Sequence, residues 1–172
     1  MRSLEVCLVR HADALDADGI RVTSDADRPL STKGLLQAKL LGKSISAVGW
    51  QPDLILHSPL ERARKTALGL ADILSGPHGH SVKLHAIGQL SSGFPVLPMI
   101  RVLQDLMLGG RVVLVAHMPE LSDLAGWLLG ADPASLPFPK TGAMLLSCPA
   151  GLSEGMGRLI WFTNPVWQEL AD

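Results

Sequence analysis

Apolar residues along this chain fall into two alternating patterns. The first is a short unbroken run. "LEVCLV" (4–9), "PDLILHS" (52–58), "SVKLHAI" (81–87) and "RVVLVAH" (111–117) are rich in Val, Leu and Ile and suit strands of a covered sheet. The second is a stripe repeating every three or four residues. "RPLSTKGLLQAKLLGKSISAVG" offers Ser31 or Thr32 as a helix N-cap and continues through Ala38, Leu41, Ile45 and Val48. "PLERARKTALGLADILSG" opens on a helix-favouring proline, repeats at Leu60, Ala63, Ala67, Leu70 and Leu74, and stops at Gly76–Pro77. "PVLPMIRVLQDLML" is helical in its later part and closes on Gly109–Gly110, and "PELSDLAGWLLG" is a further helix ending at Gly130. A proline-rich loop (133–139) leads to "GAMLLSCP" and "GRLIWFT", two last strands joined by the turn "AGLSEGMG". Strands alternating with helices predict right-handed β-α-β units, hence an α/β fold: a three-layer α/β/α sandwich around a mainly parallel sheet. No repeat and no linker divides the chain, so residues 1–172 are expected to form a single domain.

Composition narrows the partners. The chain is 47% hydrophobic with a net charge of −1, no tyrosine and no basic run, which argues against nucleic acid. No apolar run approaches the ~18 residues of a membrane span, and the N-terminus lacks the features of a signal peptide, so a cytoplasmic protein is expected. Cys7 and Cys148 sit far apart in strand-like surroundings and read as buried free thiols of a reducing compartment. His78, His80 and His85 cluster in sequence but lack carboxylate or thiolate partners, so no metal is expected. Trp50, Trp127, Trp161 and Trp167 suit core and rim packing. The helices show no unpatterned apolar face, which points to a monomer.

Ligands of open α/β sheets bind beyond the carboxyl ends of the strands. The first strand ends at Arg10–His11 and the strand at 111–116 ends at His117. The second strand ends at Ser58, and Arg62 follows in the first turn of its helix. Two histidines and two arginines therefore converge on one rim. Any one of them has an ordinary explanation: a satisfied core histidine, or a solvated arginine beside Arg64 and Lys65. Their coincidence at four rim positions is what singles them out.

"RHAD" (10–13), "LSTKGLLQA" (30–38), "SPLERARKTA" (58–67) and "VLVAHMP" (113–119), in that order, resemble the histidine phosphatase superfamily, which includes the phosphoglycerate mutases. The likeness runs to about residue 165 and is strongest to the SixA branch, bacterial protein phosphohistidine phosphatases. It implies a phosphoglycerate mutase-like fold and His11 as the nucleophile that becomes phosphorylated. It further implies that Arg10, Arg62 and a protonated His117 hold the phosphoryl group, with Ser58 beside them and a backbone N–H at Met118. No cofactor or metal is implied, because guanidiniums can stabilise the transferring group's charge. The implied partner is a phosphohistidine-containing protein or a small phosphorylated substrate.

Two positions depart from the family pattern. Ala12 stands where glycine is usual, and would cost about 1 kcal/mol if the site needed positive φ. Gln89, in "AIGQLSSG", stands where many members carry a glutamate that protonates an alkoxide leaving group. Glutamine cannot do so, which favours P–N substrates, whose protonated leaving group departs as neutral imidazole. Otherwise the proton must come from the 12–28 loop, where Asp13 is the first candidate, with Asp16, Asp25 and Asp27 behind it. The rival expectations are a small-molecule phosphomonoesterase of the same superfamily and a non-catalytic phosphate-binding module.

Overall fold

The computed structural model describes residues 3–16, 24–76, 81–106 and 109–165. Six strands form one sheet: β1 (Leu4–Arg10), β2 (Leu54–His57), β3 (Lys83–Ala86), β4 (Gly110–Ala116), β5 (Ala143–Cys148) and β6 (Arg158–Thr163). Their order is β3-β2-β4-β1-β5-β6. The pairs β3–β2, β2–β4 and β4–β1 are parallel, whereas β5 and β6 are added antiparallel.

Four helices cover the sheet: α1 (Thr32–Ala47), α2 (Glu61–Leu74), α3 (Val96–Leu106) and α4 (Glu120–Leu129). Alternation along each strand splits the core in two. Leu8, Leu56, Leu114 and Met144 face a cluster with Leu103 of α3 and Leu121, Leu124 and Leu128 of α4. Cys7, Val9, Ile55 and Val113 face Leu41 and Ile45 of α1 and Ala67, Leu70 and Leu74 of α2. These are the three layers expected. None of the described helices is long and apolar enough to cross a membrane.

The local expectations hold with instructive shifts. Of the two cap candidates Ser31 is the N-cap, its hydroxyl accepting from Gly34 N–H at 3.0 Å. Ala38, Leu41 and Ile45 are buried, but Val48 is 64% exposed. The helix stops at Ala47 and Gly49 turns the chain away at φ 71°, so the last position of the stripe never reaches the core. Helix α3 begins earlier than the pattern indicated, with Pro98 in its first turn, where a missing N–H costs nothing. Glu5, the carboxylate inside β1, is half-buried and accepts from the Trp50 indole at 2.8 Å and from Arg111 Nε at 3.0 Å. Trp127 and Trp161 pack on the two core clusters, while Trp167, His78 and His80 lie outside the described residues. Both described cysteines are free and buried, and burial raises both thiols, Cys148 to about 11.

Candidate active site

The sheet register aligns the functional rim. Arg10 pairs with Ala116 and His57 with Val115, so the residues that follow (His11, His117 and Ser58) leave three adjacent strands at one level. Ladder-like bonds extend past the strand ends: His11 N–H donates to Ala116 carbonyl at 3.1 Å and Ser58 N–H to Val115 carbonyl at 3.0 Å. The other side is gripped by Thr141, whose N–H lies 3.1 Å from the Arg10 carbonyl and 3.4 Å from that of His11. Among the described residues Thr141 is the sole non-glycine with positive φ, at 57°.

His11 and His117 face each other with ring centroids 5.0 Å apart. His11 Nδ1–H donates to the Ala12 carbonyl at 2.8 Å, which fixes its tautomer and leaves the lone pair on Nε2. His117 is held by the opposite nitrogen. The Ser58 hydroxyl accepts from Leu60 N–H at 3.2 Å and lies 2.9 Å from His117 Nε2, a bond in which either partner can be the donor. His117 Nδ1 is buried and without a partner, as is Arg10 Nε. Buried polar nitrogens without a partner are costly, and where they carry a proton an anion in the space they face would satisfy them. Arg10 Nη1 donates to the Phe138 carbonyl at 2.8 Å, which fixes its guanidinium.

Burial sets the charge state of the rim. Desolvation pushes His11 down to about 4, helped by Arg62, Arg10 and Lys140 and opposed by its bond to the Ala12 carbonyl. Desolvation pushes His117 down to about 3, helped by His11, Arg62 and Arg10, with Asp25 acting the other way. In the anion-free site His117 is therefore uncharged at neutral pH, with Arg62 and Arg10 disfavouring a further positive charge; the expected protonated His117 belongs to the site with a phosphoryl group bound.

The remaining positions divide sharply. Arg62, 6% exposed in the first turn of α2, converges with the quartet as expected. Met118 adjoins His117, but its side chain packs against the α3–α4 core and its sulfur accepts from the Ser122 hydroxyl at 3.3 Å. Asp13, expected to be the first acid of its loop, is already engaged: its carboxylate accepts from Lys140 Nζ and from Ser31 Oγ, each at 2.6 Å. Ala12 has no positive φ, so alanine carries no strain there. Gln89 lies half-buried on a short 3₁₀ turn, Gly88–Leu90, directly after β3. His85 is on exposed edge strand β3, and the described residues contain no group of three ligating side chains fit for a metal.

Sequence reasoning missed the supports. Thr66, fully buried, accepts Ala12 N–H at 3.0 Å and donates to the Arg62 carbonyl at 2.7 Å, tying the segment after His11 to α2. Gln37 accepts Asp13 N–H at 3.0 Å. Gly34 lies so close that an added Cβ would stand 1.9 Å from the Asp13 carbonyl oxygen. Polar residues buried on otherwise apolar helix faces were the available signal for Thr66 and Gln37. Lys140 had none, since it arrives from a loop 127 residues away.

Similarity to known proteins agrees with this geometry. A family model described as the histidine phosphatase superfamily (branch 1) matches residues 6–86. An uncharacterized protein of Picosynechococcus sp. is 32% identical over 176 residues, covering 95% of this chain and 98% of that protein. Among solved structures, a protein of Agrobacterium tumefaciens assigned as the phosphohistidine phosphatase SixA superposes with a TM-score of 0.78 at 24% identity, covering 96% of this chain and 99% of that one. A protein histidine phosphatase SixA complexed with tungstate gives 0.76 at 24% identity, covering 95% and 98%. A phosphoserine phosphatase from Entamoeba histolytica, more distant, gives 0.66 at 16% identity over 94% and 98%.

Proposed function

We propose that this chain, which belongs to the histidine phosphatase superfamily, is a hydrolase that removes phosphoryl groups from a protein phosphohistidine through a covalent phospho-His11 intermediate. The observation that carries this reading is the opposed tethering of the two imidazoles. His11, neutral and held at Nδ1, offers Nε2 to phosphorus. His117, held at Nε2, offers Nδ1–H together with the unpartnered Arg10 Nε to the equatorial oxygens. Arg62 supplies a second guanidinium. Such donors stabilise charge without a metal, and a SixA phosphatase of the same fold holds tungstate, an oxyanion with phosphate's shape.

The choice of P–N over P–O substrate rests on the leaving group. An alkoxide needs a proton as it departs, and the loop after β3 presents Gln89. A phosphohistidine protonated on its distal nitrogen leaves as neutral imidazole and makes no such demand. The partner on this reading is a phosphohistidine domain of a signalling protein, met by a monomer in the cytoplasm, where the two free thiols stay reduced.

A small-molecule phosphomonoesterase is the second reading. It draws on Lys140, a partly exposed cation near His11 that is suited to a second anionic group of a metabolite. Parallel hydrolysis of a phosphohistidine peptide and p-nitrophenyl phosphate, by wild type and His11→Ala, separates the two. The proposal expects fast P–N cleavage, slow ester cleavage and an inactive variant. Faster ester turnover favours the metabolite enzyme. No turnover of either favours a binding module.

A further inference from the structure

The phosphate pocket has an acid beside it that the sequence placed behind Asp13. Asp25 belongs to a short 3₁₀ turn, Asp25–Asp27, and reaches α2. Arg62 Nη1 donates to the Asp25 carbonyl at 2.8 Å and Arg62 Nη2 to Asp25 Oδ2 at 3.1 Å. The other carboxylate oxygen, Oδ1, accepts from Arg28 Nη1 at 3.0 Å. Arg28 is itself anchored, its Nε donating to the Leu15 carbonyl at 2.8 Å. The turn therefore holds one oxygen outward on Arg28 and the other against a guanidinium of the catalytic quartet.

The other described carboxylates near the rim have partners of their own. Asp13 is bound by Lys140 and Ser31, Asp16 lies 92% exposed on Arg28, Asp27 accepts from the Ser24 hydroxyl and Glu61 pairs with Arg64. Glu120 accepts Gly93 N–H on one oxygen, and its other oxygen, Oε2, is buried without a partner.

We infer that Asp25 is the general base for the second half of the reaction, accepting a proton from the water that hydrolyses phospho-His11. The inference rests on the proposed function. A phosphoryl group on His11 and the Asp25 carboxylate must share Arg62, and two anions on one guanidinium repel. A water donating to both relieves that repulsion and stands between base and phosphorus. Its oxygen bonds to phosphorus while the P–Nε2 bond breaks, the electron pair returning to Nε2. The water's proton passes to Asp25 Oδ2 and then to solvent, and inorganic phosphate leaves. Hydrogen bonding from Arg28, with the nearby charge of Arg62, holds the Asp25 carboxyl below its usual range, so at neutral pH it is ionised; the same bonds lower its basicity, and its part in the step rests on its position against Arg62. Among the described residues Arg28, Arg62 and His117 are the charged or titratable groups that act on it.

Rapid-quench kinetics with phosphoramidate tests this on wild type, Asp25→Asn and Asp25→Glu. Asparagine keeps an oxygen for Arg62 but cannot take the proton. Asp25→Asn is expected to form alkali-stable phospho-His11 within about 2-fold of the wild-type rate and to hydrolyse it ~10²-fold more slowly. Phosphoenzyme then accumulates, and the acid limb of the hydrolysis pH profile disappears. Asp25→Glu recovers part of the rate and the limb. Hydrolysis by Asp25→Asn at the wild-type rate overturns the inference. So does a proportionate loss of both steps, the mark of a residue that only positions Arg62. Failure of wild type itself to form phosphoenzyme overturns the parent reading, and this one with it.

Discussion

The ends of β1 and β4 deliver the same side chain to the same pocket and make opposite use of it. After β1, the backbone carbonyl of Ala12 accepts from Nδ1–H and His11 is left with a lone pair on Nε2, the nucleophile of the proposed reaction. After β4, a side chain from β2's end, Ser58, bonds Nε2, and on the proposed reading His117 keeps its proton on Nδ1 as a donor. Burial and neighbouring cations depress both rings alike, so neither charge nor residue type distinguishes them. Which nitrogen is tethered decides the role. Imidazole chemistry here is assigned by the second partner of each ring.

The contrast is tested hardest by deleting each ring. His11→Ala should cost ~10⁴-fold or more in turnover, because no other group near phosphorus can form the covalent bond. His117→Ala should cost roughly 10²–10³-fold, the loss of one oriented donor, and should still label His11 slowly. Equal losses, or labelling that survives in His11→Ala, would break the assignment of roles.

Ser58→Ala sharpens it. Without the hydroxyl, His117 is free to place its proton on either nitrogen, and turnover should fall about 10-fold, the worth of one buried hydrogen bond. The fall should appear in kcat rather than KM, with His11 labelling slowed and phospho-His11 chemistry otherwise unchanged. An unaltered kcat would mean that the tautomer of His117 is set by something else.

The smallest effect is on stability. Both rings have folded values, about 4 and about 3, below the ordinary 6.5, so the unfolded chain binds more protons as pH falls beneath 6.5. Stability should be fully present above that value, decline through pH 6 and 5, and finish declining near the folded values. Thermal melts across this range, with and without inorganic phosphate, check the sign. Phosphate should flatten the decline by favouring the protonated rings. A rise in melting temperature on acidification would show that the rings are not buried neutral.

The sequence disclosed the scaffold and the quartet because both follow from local rules. Unbroken apolar runs mark covered strands, and the polar residue that ends such a run lies on the binding rim. That reasoning brought together Arg10, His11, Ser58 and His117 without any contact information, and the helix after β2 added Arg62. It failed where a role depends on a distant partner. Asp13 looked available because it stands two residues from His11. Lys140, brought in by the loop before β5, removes it from consideration. Asp25 looked remote, yet its turn folds onto α2. The charge of His117 in the anion-free site could not be read either, since it depends first on burial and then on the cations that share the pocket. Thr141 gave no sign because its glycine neighbour is the residue one would expect to take positive φ.

Gly34 has a mechanical meaning beyond its place in a helix. Its bare Cα lets α1 rest on the Asp13 carbonyl with no room for one more carbon, while Ser31 and Gln37 of the same region bond the Asp13 main chain from either side. The segment bearing His11 is thus clamped to a 16-residue helix rather than hung on a loop. A methyl group at this position would act as a wedge, lifting the segment from its bearing surface and displacing His11 without touching any group that meets phosphate.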